Sequence, residues 1–146
     1  MIELLELKAC IKEERYADAL AIIGDMEEMS REDKINKIYS YMAILLMHLI
    51  KQHAEKRSTR SWERSIYNSV EAIRVTNRRR KAGGYYAGKE DLAELFCEAY
   101  PRALKNASYE AFEGRYDASE LGEMVNENDI RNEALKLILQ VKRTLK

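Results

Sequence analysis

The residues of this chain best placed to do chemistry are its arginines. From Lys51 to Lys81 ten basic residues stand against Glu55, Glu63 and Glu71, a local charge of +7 in a chain whose formal net charge is zero. With no global field, any attraction to nucleic acid or anionic lipid has to come from this segment. At about 100° per helical residue, Arg60, Arg64, Arg74 and Arg78 share one side with Glu71 and oppose an apolar face of Trp62, Ile66, Val70 and Ile73. Arg78, Arg79, Arg80 and Lys81 extend the basic run towards Tyr85 and Tyr86. Guanidinium groups with aromatic neighbours grip phosphates and stack on bases. The blander reading, pairing of Arg60, Arg64 and Arg74 with acidic faces of neighbouring helices or with solvent, carries more weight. Arginine is also enriched at protein interfaces, so a protein partner competes with nucleic acid.

Other chemical signatures are weaker. Gly83 to Lys89 satisfies the glycine-lysine spacing of a phosphate loop, but Glu90 stands where a hydroxyl should reach Mg²⁺ and no strand precedes it. The segment Arg78 to Lys89 is therefore expected to be a flexible connector. His48 and His53 are five residues apart, about 140° around a helix, and cannot chelate from one helix. His48 is expected in or near the core and His53 at the surface. Cys10 and Cys97 are too few and too distant for a disulfide framework or zinc site, and both are expected to be reduced core residues. No metal or cofactor is expected. No local catalytic motif is present, which lowers the odds of an enzyme without closing them.

The elements that must position these residues are helical. The composition is 46% hydrophobic and 34% charged with one proline, a balance that suits a folded protein, and apolar residues recur at three and four rather than at two. The expected fold is all-α: one domain over residues 1–146, a bundle of about five to six helices around a central apolar helix at about 30–52. Leu4, Leu7 and Ile11 predict the buried face of a first helix. Tyr16, Leu20, Ile23 and Met26 predict that of a second, after a break near Glu14 and Arg15. Ser30, followed by Glu32 and Asp33, predicts the start of the central helix, whose half from Ile38 to Ile50 is apolar all round. Ser58 or Ser61 predicts the cap of the arginine-bearing helix. Pro101 predicts a kink or break near Tyr100 in the next helix. Asp117 and Glu120 form a capping box for a short helix. Ile130, Ala134, Leu137, Ile138, Val141 and Leu145 predict a last amphipathic helix, free to complete the core or to engage another chain.

The run Ile38 to Ile50 is too short for a membrane span, and Met1 to Glu6 lacks the features of a signal peptide, so a cytoplasmic location away from membranes is expected.

The middle of the chain resembles domain-of-unknown-function family 29, small all-helical proteins abundant in cyanobacteria. The likeness rests on Gly24-Asp25-Met26 and on Leu45-Leu46-Met47-His48-Leu49-Ile50-Lys51. It rests further on Arg57-Ser58 followed by Ser61-Trp62 and Ser65-Ile66, and on Ala99-Tyr100. It covers about residues 16–110. Gln52 and His53 stand where the family usually has an aromatic, and the end at about 111–146 departs from its pattern, which marks a divergent member. The resemblance implies a helical bundle with His48, Arg57, Ser61 and Trp62 as positions of family interest, and Trp62 packed beside His48 is the structural expectation. It implies no activity. The functional expectation is a non-enzymatic protein-protein interaction or adaptor module, binding another protein or a second copy of itself through the arginine stripe or the last helix. The alternative is a nucleic-acid-associated factor using Arg60, Arg64, Arg74, Arg78, Arg79, Arg80 and Lys81.

Overall fold

The computed structural model describes residues 2–79 and 83–144, with side chains over 4–79 and 83–139. Arg80, Lys81 and Leu145, and the side chain of Val141, lie outside the described residues. Among the described residues six α-helices follow one another: α1 (Ile2–Lys12), α2 (Tyr16–Glu55), α3 (Arg60–Asn77), α4 (Lys89–Glu110), α5 (Ala118–Glu123) and α6 (Glu127–Thr144). A 3₁₀ turn, Ala111–Gly114, follows α4. The fold is an all-α bundle, and among the described residues the one β-type pairing is an isolated antiparallel bridge between Arg78 and Tyr85. No helix in them is long and apolar enough to cross a membrane.

The central helix is longer than its sequence suggests. α2 runs unbroken for 40 residues, about 60 Å at 1.5 Å per residue, and Ser30 sits inside it instead of capping it. No proline interrupts Tyr16–Glu55. A break at Ser30 would strand backbone donors and acceptors at two new helix ends, more than one serine cap restores.

Its C-terminal half is the core. Ile38, Met42, Leu45, Leu46, Leu49 and Ile50 are wholly or almost wholly buried, and of the apolar side chains in the predicted stretch only Ile44 is exposed. α4 and α3 pack most extensively on this half. They contribute Phe96, Ala99, Ala103 and Ala107 from α4 and Val70 and Ile73 from α3. The described part of α6 closes the core with Ile130, Ala134 and Ile138, so of the two roles open to this face it takes the first, completing the core.

Pro101 does not break α4, which continues to Glu110. Its missing N–H would have bonded the carbonyl of Cys97, and both residues lie on the solvent side, where water can serve that carbonyl. Cys97 is thus exposed, against expectation, while Cys10 is buried. The cap of α3 is Thr59, not Ser58 or Ser61: its Oγ1 accepts from Trp62 N–H at 3.0 Å. The Asp117–Glu120 capping box is formed at 2.8 and 3.0 Å.

The first hairpin breaks where predicted, with Glu14 at φ 58°, but the face it buries is different. Cys10 of α1 and Ala19 of α2 are buried, whereas Ile11 (52% exposed), Tyr16 (58%) and Leu20 (68%) face solvent. Over residues 16–37 of α2, Ala19 is the one buried side chain.

Candidate functional site

Two of the positions of family interest, Arg57 and Trp62, meet where α2 ends and α3 begins. Glu55 is the last residue of α2, Lys56 reverses the chain at φ 54°, and Thr59 starts α3, so that Lys51, Arg57 and Trp62 come together. Lys51 Nζ and Arg57 Cζ each stand 4.7 Å from the centroid of the Trp62 ring. A cation so placed gains about 1 kcal/mol from the indole quadrupole. Both cations thus sit on the indole that the sequence expected to pack beside His48. Ser61 is exposed and its hydroxyl does not cap the helix.

Lys51 is buried, with 4% of its side chain exposed, and its Nζ donates to Glu110 Oε1 at 2.7 Å. A buried ammonium requires such a partner. His48, one turn earlier, is also buried, and its Nδ1 has no hydrogen-bond partner among the described residues. Burial, and then the charge of Lys51, lower its pKa from 6.5 against the opposing pull of Glu110, so His48 is neutral at pH 7.

Glu55 ties three segments together. It accepts from Arg57 Nε at 2.8 Å and from Phe112 N–H at 2.9 Å. Burial pushes its pKa up, but the bonds from Phe112 and Arg57 outweigh that and hold it below 4.5. The clamp matters because Phe112, Glu113 and Gly114 all have positive φ, at 51°, 58° and 79°. Non-glycine residues adopt that conformation at a cost of about 1 kcal/mol or more each.

The arginine face divides. Arg60, Arg64, Arg78 and Arg79 are exposed, but Arg74 has only 17% of its side chain exposed and donates to Glu71 at 2.8 Å. Glu71 stands on the same helix, so this pair closes one arginine within α3 and not against the acidic face of a neighbouring helix. Arg79 lies 5.8 Å from the ring centroid of Tyr86. The connector after α3 is anchored by Asn77, which is buried: its Nδ2 donates to Ala87 O at 2.9 Å and its Oδ1 accepts from Ala87 N–H at 2.8 Å. Tyr86 N–H bonds Asn77 O, and Arg79 N–H bonds Gly84 O. The segment is a fastened turn at both ends of its described part, not a phosphate loop.

His53 is half-buried and joins α2 to α6 through a 2.7 Å contact of Nε2 with Glu133. Among the described residues no three His, Cys, Asp or Glu side chains are grouped to hold a metal ion.

Sequence reasoning missed Lys51, Glu55, Glu110 and Asn77. A usable signal existed for Lys51, a charged residue three positions after His48 on a helix that is otherwise apolar there. None existed for Glu110, 59 residues away.

No curated protein and no solved structure matches the chain. The family described as "Domain of unknown function DUF29" matches residues 6–121, which takes in most of the N-terminal hairpin, the Lys51–Trp62 junction, the fastened turn and Glu110. The chain belongs to the DUF29 family.

Proposed function

We propose that this protein is a non-enzymatic interaction module whose N-terminal hairpin docks a helix of another protein, one with basic residues beside an apolar stripe. The observation that carries this reading is the apolar side left open on the hairpin. Tyr16, Leu20 and Ile23 fall within about 60° of arc on α2, and Leu4 and Ile11 within about 20° on α1. Three of these five side chains are more than half exposed. Contiguous exposed apolar surface on a helix pair is the usual mark of a partner site. Residues 2–34 hold ten acidic and five basic side chains, a net charge of −5, so a basic flank on the incoming helix is complementary and a second acidic hairpin is not.

The test is titration of the full chain with a synthetic leucine-lysine amphipathic peptide, using a leucine-glutamate peptide of the same pattern as control. Saturable binding of the lysine peptide alone, lost in Leu20→Glu, supports the reading. Equal binding of both peptides, or indifference to Leu20→Glu, refutes it.

A second reading, a nucleic-acid-associated factor, is favoured by the exposure of Arg60, Arg64, Arg78 and Arg79 and by Arg79 lying 5.8 Å from the ring centroid of Tyr86. It requires binding that weakens steeply with salt and with neutralisation of those arginines.

A further inference from the structure

Away from the hairpin, the fastened turn forms one wall of a cavity of about 250 Å³ between the end of α3, the start of α4 and α6. Its lining has two chemically distinct parts. Ala87, Leu92 and Ile138 make an apolar floor, each of them buried. Arg74, Arg78 and Lys89 bring three cations, and no carboxylate among the described residues lines it. Arg74 is held in place by Glu71 at 2.8 Å. Tyr85 and Leu139, both exposed large apolar side chains, stand at the same cavity.

The cavity is built by specific bonds. The reciprocal pair between Asn77 and Ala87 holds the turn against the end of α3, and the Arg78–Tyr85 bridge sets the tyrosine beside the arginine. Glu90 and Asp91 in the first turn of α4, the latter accepting from Gly88 N–H at 3.3 Å, offset the positive end of that helix, which therefore does not supply the positive charge. The cationic side chains do.

We propose that this cavity binds a small amphipathic anion, a carboxylate or phosphate monoester whose apolar or aromatic body lies on Ala87, Leu92 and Ile138. The anionic head meets Arg78 and Lys89, with Arg74 behind them. A volume near the lower end of ligand pockets limits the guest to about the size of a substituted benzene ring. Planar guanidinium groups suit both head groups, because each presents paired oxygens to the arginine fork.

The test is an NMR titration of the ¹⁵N-labelled full chain with phenyl phosphate, inorganic phosphate and benzyl alcohol as separate probes. Phenyl phosphate is expected to saturate and to shift the amides of Arg78, Ala87, Gly88 and Leu92, with each half-probe binding at least about tenfold more weakly. In the double variant Arg78→Gln with Lys89→Gln, both exposed in the free protein, affinity is expected to fall by about tenfold or more, the loss expected for charge-assisted hydrogen bonds. Leu20→Glu should leave binding unchanged, which separates this site from the hairpin. Absence of saturable shifts overturns the proposal, as do shifts elsewhere in the chain, inorganic phosphate binding as well as phenyl phosphate, or an unaltered affinity in the double variant.

Discussion

Lys51 and Glu110 are separated by 59 residues and meet at 2.7 Å, with the lysine almost wholly buried and the glutamate half exposed. The pair joins the end of the central helix to the end of α4, and it lies beside the ring of Trp62. A buried charge stripped of its partner costs more than a neutral side chain of similar shape. The glutamate's contact with water moderates that cost.

Glu110→Ala should therefore destabilise the fold by about 2 kcal/mol in urea unfolding. Combining it with Lys51→Met should recover part of that loss, because the stranded ammonium is gone. A double variant less stable than Glu110→Ala would show that Lys51 contributes mainly through its contact with Trp62.

Acid should weaken the protein in two stages. The pKa of His48 is lowered from 6.5, so the unfolded chain takes up a proton there more readily than the folded one, and stability declines as the pH falls below about 6.5. The pKa of Glu55 is held below 4.5, so its contribution is complete above that value and is lost as the pH falls towards the folded pKa. In unfolding midpoints measured from pH 8 to 3, His48→Gln should remove the first decline and Glu55→Gln the second. Profiles parallel to the parent would contradict both assignments.

Asn77→Ala should leave the Ala87 N–H and carbonyl without partners in a buried site and destabilise by about 3 kcal/mol. Hydrogen exchange at Ala87 should accelerate at the same time, since its amide bonds to the Asn77 side chain. Unchanged exchange there would mean that the turn is held by other contacts.

The parts of this fold legible in the sequence were those governed by local pattern. The apolar run Ile38 to Ile50, the break near Glu14 and the Asp117–Glu120 box follow from periodicity and capping chemistry. Ser30 misled because a capping residue marks where a helix can start, whereas an uninterrupted run of helix formers decides whether it must. Thr59 was passed over for its serine neighbours because any of the three hydroxyls can cap, and the choice depends on the αL reversal at Lys56. Long-range partners leave no local trace, so neither Lys51 with Glu110 nor Glu55 with Phe112 was legible. Tyr16 and Leu20 show the opposite failure: their apolar spacing was legible, and only the fold reveals that nothing in the described chain covers them.

Tyr16→Glu and Leu20→Glu change side chains that are more than half exposed, so each should alter stability by no more than about 0.5 kcal/mol. A large loss of stability in either variant would place these residues in the folding core and remove the exposed patch from consideration.

The most direct test of the interaction module is affinity purification of the tagged full chain from its native cells, with and without nuclease, as parent, as Tyr16→Glu with Leu20→Glu, and as Arg60→Gln with Arg64→Gln. The account predicts one stoichiometric protein that survives nuclease, is kept by the arginine variant and is lost from the hairpin variant, and that binds the chain again when purified. Recovery of nucleic acid alone, released by nuclease and lost in the arginine variant, would contradict it, as would a second copy of this chain or no retained protein.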